Sequence, residues 1–321
     1  MRYAMTFAFV LVSVIALAGS VQADQAVEID PGSGSFSVAG GARHRTDTIA
    51  VHYHRPDSFN GDSPVLLVIS GSGRNADEYR DAWIRASESR GILVLAPGYP
   101  AGQYRFGDYH MGGLVEETNA TDIADYIDHS HQVRFDESRA FFRINADKDQ
   151  YLFNDFDRIF RVAVDALDGT QDGYDIYGHS AGGQILHRMA LLQPETRARR
   201  IVAANSGFYT LPVFDIDVPF GLKTAPVRAE DLRRSFRRKL VVLLGENDDN
   251  PGSGGIFLRS PSADRQGFGR LQRGRHFFHT GRIMASDMQA EFNWRLQTVA
   301  DVGHDHAGMS RAAARLLYGT D

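Results

Sequence analysis

The 321-residue chain has no cysteine. A disulfide framework, a thiolate zinc site, a cysteine nucleophile and a lipid-bearing cysteine are therefore all excluded. Charge of either sign is modest: 23% of residues are charged and the formal net charge is −5. That balance gives no reason to expect nucleic acid or an acidic membrane surface as a partner. Past residue 23 no apolar run is long enough to span a bilayer. No internal repeat, low-complexity tract or domain linker interrupts the chain. The metal-binding patterns H-E-x-x-H and H-x-x-E-H are missing, as is the phosphate loop G-x-x-x-x-G-K-[ST]. Four histidine pairs occur, at 52/54, 129/131, 276/279 and 304/306. They are scattered, so no resident metal is expected.

The first residues differ in kind from the rest. Arg2 is the only charge before Asp24, and residues 3–18 are nearly all apolar. Gly19, Ser20 and Val21-Gln22-Ala23 follow. A basic start, an apolar middle and a small-residue site form a secretory signal peptide, with cleavage expected after Ala23. The apolar run is short for a full membrane span, which disfavours an uncleaved anchor. Residues 24–321 are then expected as a single exported domain, periplasmic or secreted.

With 43% hydrophobic residues the chain can bury one large core. Stretches 34–40 and 47–56 read as an antiparallel pair, the second alternating Ile49, Val51 and Tyr53 with polar neighbours. Continuous apolar runs at 64–70 and 91–97 read as buried parallel strands, the strand leading into 173–183 and the stretches 200–208 and 239–248 as further strands, and 294–304 as the last strand candidate. Between them lie helical patterns at about 155–167, from about Gln184 to Pro194, and from about Met309 to Gly319. This alternation predicts an α/β fold with a mostly parallel central sheet and helices on both faces. Connections 209–238 and 249–291 read as long loops at the carboxyl ends of strands, where open α/β sheets bind ligands. The basic run from Arg233 to Lys239 reads as the solvated end of a helix. Phe277, Phe278, Phe292 and Trp294 read as packing for the final helix.

One element carries chemistry. Gly178-His179-Ser180-Ala181-Gly182 is a G-x-S-x-G sequence between a strand and a helix, and no other serine has that pattern. The turn places a serine hydroxyl above the sheet edge, and the Ala181 N–H is aimed at a reacting carbonyl oxygen. Serine is a poor nucleophile without a base, and the base needs an orienting carboxylate. Strand 239–248 ends in Gly245-Glu246-Asn247-Asp248-Asp249, and the last strand ends in Gly303-His304-Asp305-His306. The order Ser, Asp, His is thus present, each member at a strand end. Asp248 and Asp249 are adjacent, so in an extended strand end only one of them can face His304. After strand 64–70, glycines in Ser70-Gly71-Ser72-Gly73-Arg74-Asn75 let backbone N–H groups approach a ligand.

Together these motifs resemble the α/β-hydrolase superfamily, and within it the secreted polyhydroxybutyrate-depolymerase and feruloyl-esterase-like serine esterases. The resemblance runs from about Ser63 to Met309. It implies Ser180 as nucleophile, His304 as base, Asp248, three residues past Gly245, as acid, and the N–H groups of Ser72 and Ala181 as oxyanion donors. It departs from the family where Ser70-Gly71 stands in place of a frequent His-Gly. The expected activity is hydrolysis of a small or polymeric carboxylic ester without a cofactor. An acyltransferase or peptidase with the same triad, or an inactive binding protein, are the alternatives. N-terminal sequencing of the exported protein should begin at about Asp24, whereas retention of residues 1–23 in membranes would favour the anchor.

Overall fold

The computed structural model describes residues 27–127, 130–250, 252 and 254–319, so the expected signal peptide lies outside the described residues. The chain opens with strands β1 (Gly32–Ala39), β2 (Thr48–Arg55) and β3 (Val65–Ile69), then helices α1 (Ala76–Asp81) and α2 (Ile84–Arg90) and strand β4 (Leu93–Gly98). An excursion over 99–152 carries four short strands, β5 (Val115–Thr118), β6 (Ala124–Tyr126), β7 (Gln132–Phe135) and β8 (Phe142–Ile144). Helix α3 (Phe153–Ala166), β9 (Tyr174–His179), α4 (Ala181–Leu192), β10 (Ala198–Ala204), α5 (Ala229–Phe236) and β11 (Leu240–Gly245) follow. The chain ends with β12 (Phe257–Arg259), α6 (Pro261–Gln266), α7 (Arg270–Asp287), β13 (Arg295–Val299) and α8 (His306–Tyr318).

Eight strands form one sheet in the order β1-β2-β4-β3-β9-β10-β11-β13. Strand β2 is antiparallel to β1 and β4, and every neighbouring pair from β4 to β13 is parallel. The apolar strand runs divide by residue parity between two cores. Val65, Leu67 and Ile69 face the core that holds Phe156 and Ile159 of α3, Met189 of α4 and Phe277 of α7. Leu66 and Val68 face the core that holds Trp83, Tyr79 of α1 and Met309 and Ala313 of α8. Both faces of the sheet are covered, which is why these strands are apolar throughout rather than alternating.

From β3 the chain moves outward to β4, then returns to place β9 on the other side of β3. The carboxyl ends of β3 and β9 therefore diverge at a switch point, the position where open α/β sheets hold ligands.

Three local readings change. Helix α4 begins at Ala181, directly after Ser180, rather than near Gln184, and all of its residues are buried. Its charged Arg188 donates from Nε to the Thr210 hydroxyl at 2.9 Å and from Nη1 to the carbonyls of His110 and Gln184 at 2.7 and 3.0 Å. Connection 249–291 is not a loop: it contains β12, α6 and the 18-residue α7. Two of the buried positions of α7, Arg270 and Arg273, are arginines, and a polar inner face hides a helix from hydrophobic periodicity. Finally, Phe277 and Trp294 stack at 5.2 Å and Trp294 meets Phe236 at 5.2 Å, so these aromatics join α7, α5 and β13 and do not pack the final helix.

Candidate active site

Strand β9 delivers Ser180 at φ 60° and ψ −115°, a conformation that L-residues rarely adopt, and α4 starts at the next residue. Two glycines permit this turn. A Cβ on Gly182 would stand 2.2 Å from the Ile69 carbonyl oxygen, and one on Gly178 would stand 2.6 Å from the Gly182 carbonyl. Both distances are below any tolerable contact, so the first turn of α4 lies directly on the end of β3. The Ser180 N–H donates to the Ala204 carbonyl at 2.9 Å, fixing the elbow against β10.

Three side chains from separate strand ends converge here. His304 Nε2 lies 3.0 Å from Ser180 Oγ, and His304 Nδ1 lies 2.7 Å from Asp248 Oδ2. The Asp248 carboxylate is fully buried and the His304 ring nearly so. A tight turn, closed by Asp248 N–H to Gly245 C=O at 3.1 Å, aims Asp248 inward. The neighbouring carboxylates are occupied elsewhere. Asp249 is exposed and accepts from Gln272 at 3.3 Å. Glu246 accepts from Thr298 at 2.7 Å, and Asp305 caps α8 through the N–H groups of Ala307 and Gly308.

The loop after β3 is pressed against the same point: a Cβ on Gly71 would lie 3.4 Å from Ser180 Cβ. Ser72, Ser180 and Ala181 line one cleft of ≈ 660 Å³. The Ala181 N–H is the first of α4 and has no intrahelical partner, so it carries the positive end of the helix dipole. Where the resembled family often has His-Gly, Ser70 is buried and its hydroxyl sits 3.0 Å from Tyr109 Oη, which itself donates to the Ser70 carbonyl at 2.7 Å. The Arg74 guanidinium lies 3.4 Å over the Tyr109 ring and donates to the carbonyls of Tyr99 and Tyr104. Tyr109 thus braces the loop, a role that no motif signals.

A second layer supports His304. Asn205, at φ 47°, accepts from the Gly245 N–H at 2.9 Å and donates to the Gly303 carbonyl at 3.1 Å, tying the acid turn to the histidine loop. The His179 ring packs 4.6 Å from the His304 ring, with Nδ1 3.1 Å from Tyr79 Oη and Nε2 accepting from Asn205 at 3.4 Å. Burial, then the proximity of His304, hold His179 well below the ordinary histidine value, so it is neutral. Burial and then the Arg270 charge likewise lower His304, leaving it the free base. Burial pushes the Asp248 carboxyl up, and Arg270, 3.2 Å away, opposes this.

The excursion 99–152 builds much of the remaining cleft wall, with Phe208, Pro219, Ile256 and Leu258. Phe106, Phe135 and Phe142 line it, backed by a small core of their own with Ala120, Ile123 and Leu258. His110 and Gln184 stand in the wall, His110 Nδ1 lying 3.4 Å from Gln184 Oε1. Among the described residues no group of three or more His, Asp or Glu is placed to hold a metal ion, and no helix is long and apolar enough to cross a membrane.

An open, mostly parallel sheet with a serine at a strained strand-to-helix turn defines a hydrolase architecture, and comparison with known proteins agrees. A poly(aspartic acid) hydrolase from Sphingomonas sp. KT-1 is 34% identical with a TM-score of 0.77, the match covering 90% of this chain and 100% of that one. A poly(3-hydroxybutyrate) depolymerase from Bordetella parapertussis is 26% identical with a TM-score of 0.76, covering 90% of this chain and 91% of that one. A fluorophosphonate-binding serine hydrolase from Staphylococcus aureus shares the fold alone, at 12% identity and a TM-score of 0.52 over 90% of this chain and 100% of that one. No protein-family model and no curated protein sequence matches the chain. The chain belongs to the α/β-hydrolase superfamily and, within it, resembles the poly(3-hydroxybutyrate) depolymerases.

Alanine in place of glycine inside a helix ordinarily stabilises by up to about 1 kcal/mol. At Gly182 the sign should reverse, because the new methyl meets the backbone of β3. Gly182→Ala is expected to cost about 2–3 kcal/mol, read as a lower midpoint in thermal unfolding. A midpoint at or above that of the parent would contradict the close approach.

Proposed function

We propose that this hydrolase cleaves carboxylic esters through Ser180, His304 and Asp248, with the N–H groups of Ser72 and Ala181 holding the oxyanion. The observation that carries the reading is the unbroken chain from Ser180 Oγ through both His304 nitrogens to Asp248 Oδ2, set at a strained elbow. His304 Nδ1–H donates to Asp248, which leaves the Nε2 lone pair facing the serine hydroxyl. As Ser180 Oγ attacks the ester carbonyl, Nε2 takes its proton. The tetrahedral oxyanion then lies between the β3 loop and the amino end of α4, where fixed N–H dipoles favour it. Collapse expels the alcohol, which takes the proton from His304 and leaves an acyl-serine. Water repeats the sequence and releases the acid.

The cleft supports an uncharged, partly apolar acyl chain. Its lining carries Asp108, Glu116, Glu117 and Asp122 against Arg74 and Arg105, and Arg43 and Arg143 pair with the first three carboxylates, so the wall has no surplus of positive charge. Arg74 is already committed to the carbonyls of Tyr99 and Tyr104. A polyanion is poorly matched to such a wall. The likeness to a poly(aspartic acid) hydrolase favours amide cleavage as a second reading. Side-by-side rates on p-nitrophenyl esters of increasing chain length and on poly(aspartate) separate the two, and faster poly(aspartate) turnover would replace the ester reading. The signal-peptide pattern of residues 1–23 supports action outside the cytoplasm on a small or polymeric substrate.

Ser180→Ala should fold as the parent does and lose ester turnover; parental rates in that variant would remove the nucleophile. Asp248→Asn should lose activity on the order of 10⁴-fold, while Asp249→Asn stays within roughly tenfold of the parent. The reverse ranking would transfer the acid role to Asp249.

The acid limb of kcat/KM follows protonation of the base. A lowered His304 stays neutral as pH falls past ~6.5, the ordinary histidine value, so the rate should fall only below that pH. A limb centred above ~6.5 would instead report protonation of the Asp248 carboxyl, which burial raises to about 7.

A further inference from the structure

We propose that Arg270 is a positioning residue of this site, gripping Asp248 with one arm and, with the other, the strap 254–256 that covers His304. The proposal rests on the Ser180–His304–Asp248 reading above. Arg270 opens α7 and is 1% exposed. Its Nη1 donates to Asp248 Oδ1 at 3.2 Å, on the carboxylate oxygen that His304 does not use. Its Nη2 donates to the carbonyls of Gly255 and, at 3.3 Å, Ile256.

The strap is in direct contact with the reacting groups. Gly254, at φ 80°, lies flat on the histidine, since a Cβ there would be 2.4 Å from His304 Cβ. A Cβ on Gly255 would be 3.6 Å from His304 Nε2 and 3.9 Å from Ser180 Oγ. Ile256 enters the cleft lining, and the next residue, Phe257, begins β12, which pairs with β7 in the cleft wall. One planar guanidinium therefore fixes the acid, the cover of the base and one edge of the cleft, a geometry that a forked donor suits and a point charge does not. Arg273, one turn further along α7, is equally buried but spends its donors on Gly207, Gly267 and Asp264, away from the triad.

A purely structural arginine and a positioning one differ in what their loss changes. The titratable groups facing Asp248 and His304 are Arg270 from α7, Tyr209 after β10 and His179 from β9, with Tyr79 of α1 and His306 of α8 behind it. Of these, Arg270 is the cation on the acid. Without it both the carboxyl and the imidazole take up protons more readily, so the acid limb must move to higher pH.

The test uses the full chain, with p-nitrophenyl ester kinetics and the rate of fluorophosphonate labelling measured across pH. Arg270→Met should lower kcat on the order of 10²-fold with KM changed by less than about threefold. Its acid limb should rise by about one pH unit. Arg270→Lys should return the limb toward the parent while recovering only part of kcat, because an ammonium cannot span both partners. In an Asp248→Asn background, Arg270→Met should cost clearly less than in the parent, the remaining loss coming from the strap. A folded Arg270→Met with parental kcat and limb would overturn the proposal, as would an equal loss in both backgrounds. If Arg270→Met fails to fold, Arg270→Lys and the double variant, which leaves no buried carboxylate uncompensated, decide the matter. Turnover by Ser180→Ala would instead reject the underlying triad reading.

Discussion

The first turn of α4 rests on the end of β3 with no side chain between them, and the site is laid out from that contact. Because Gly182 abuts the Ile69 carbonyl, Ser180 is held at an angle it would not choose freely. The same contact brings the β3 loop, with Gly71 and Ser72, beside the serine hydroxyl. Parallel pairing then sets the carboxyl ends of β11 and β13 on the same edge of the sheet, so that an aspartate and a histidine far apart in sequence arrive beside it. The strained turn persists because the sheet on one side and a wholly buried helix on the other leave it no room to relax.

Around this frame the chain buries unusual amounts of charge. Asp248, Arg188, Arg270 and Arg273 are all nearly inaccessible. Removing one partner of a buried pair leaves an uncompensated charge, which costs about 3–5 kcal/mol. Backbone carbonyls of irregular segments take up much of the guanidinium hydrogen bonding, including those of His110, Gly207, Gly255 and Gly267. The arginines therefore act as internal struts for chain that has no ladder of its own, a role that lysine's single ammonium could not fill.

This explains what could be read from the sequence. Strands β3, β4 and β11 are continuous apolar runs, and the serine, aspartate and histidine stand at the ends of β9, β11 and β13, so the frame and its order were legible. Helix α7 was not, since its inner face carries Arg270 and Arg273 where a periodicity argument looks for leucine. The strands of 99–152 are three or four residues long, too short to stand out from polar surroundings. Tyr109 and Asn205 escaped notice because their partners are main-chain atoms distant in sequence, to which no residue pattern points.

The wall built by residues 99–152 has a small core of its own around Ala120, Ile123 and Phe135, and joins the main-sheet core through Tyr99, Tyr104, Tyr109 and Leu114. Its phenylalanines set the width of the cleft, while the elbow and the hydrogen-bonded chain belong to the sheet edge. The molecule is thus built as an interchangeable jaw on a fixed anvil. Repacking the phenylalanine end of the jaw, away from Tyr109, can alter what the cleft admits without disturbing the contact that sets the serine, so descendants of one ancestral frame can diverge in diet while keeping their chemistry.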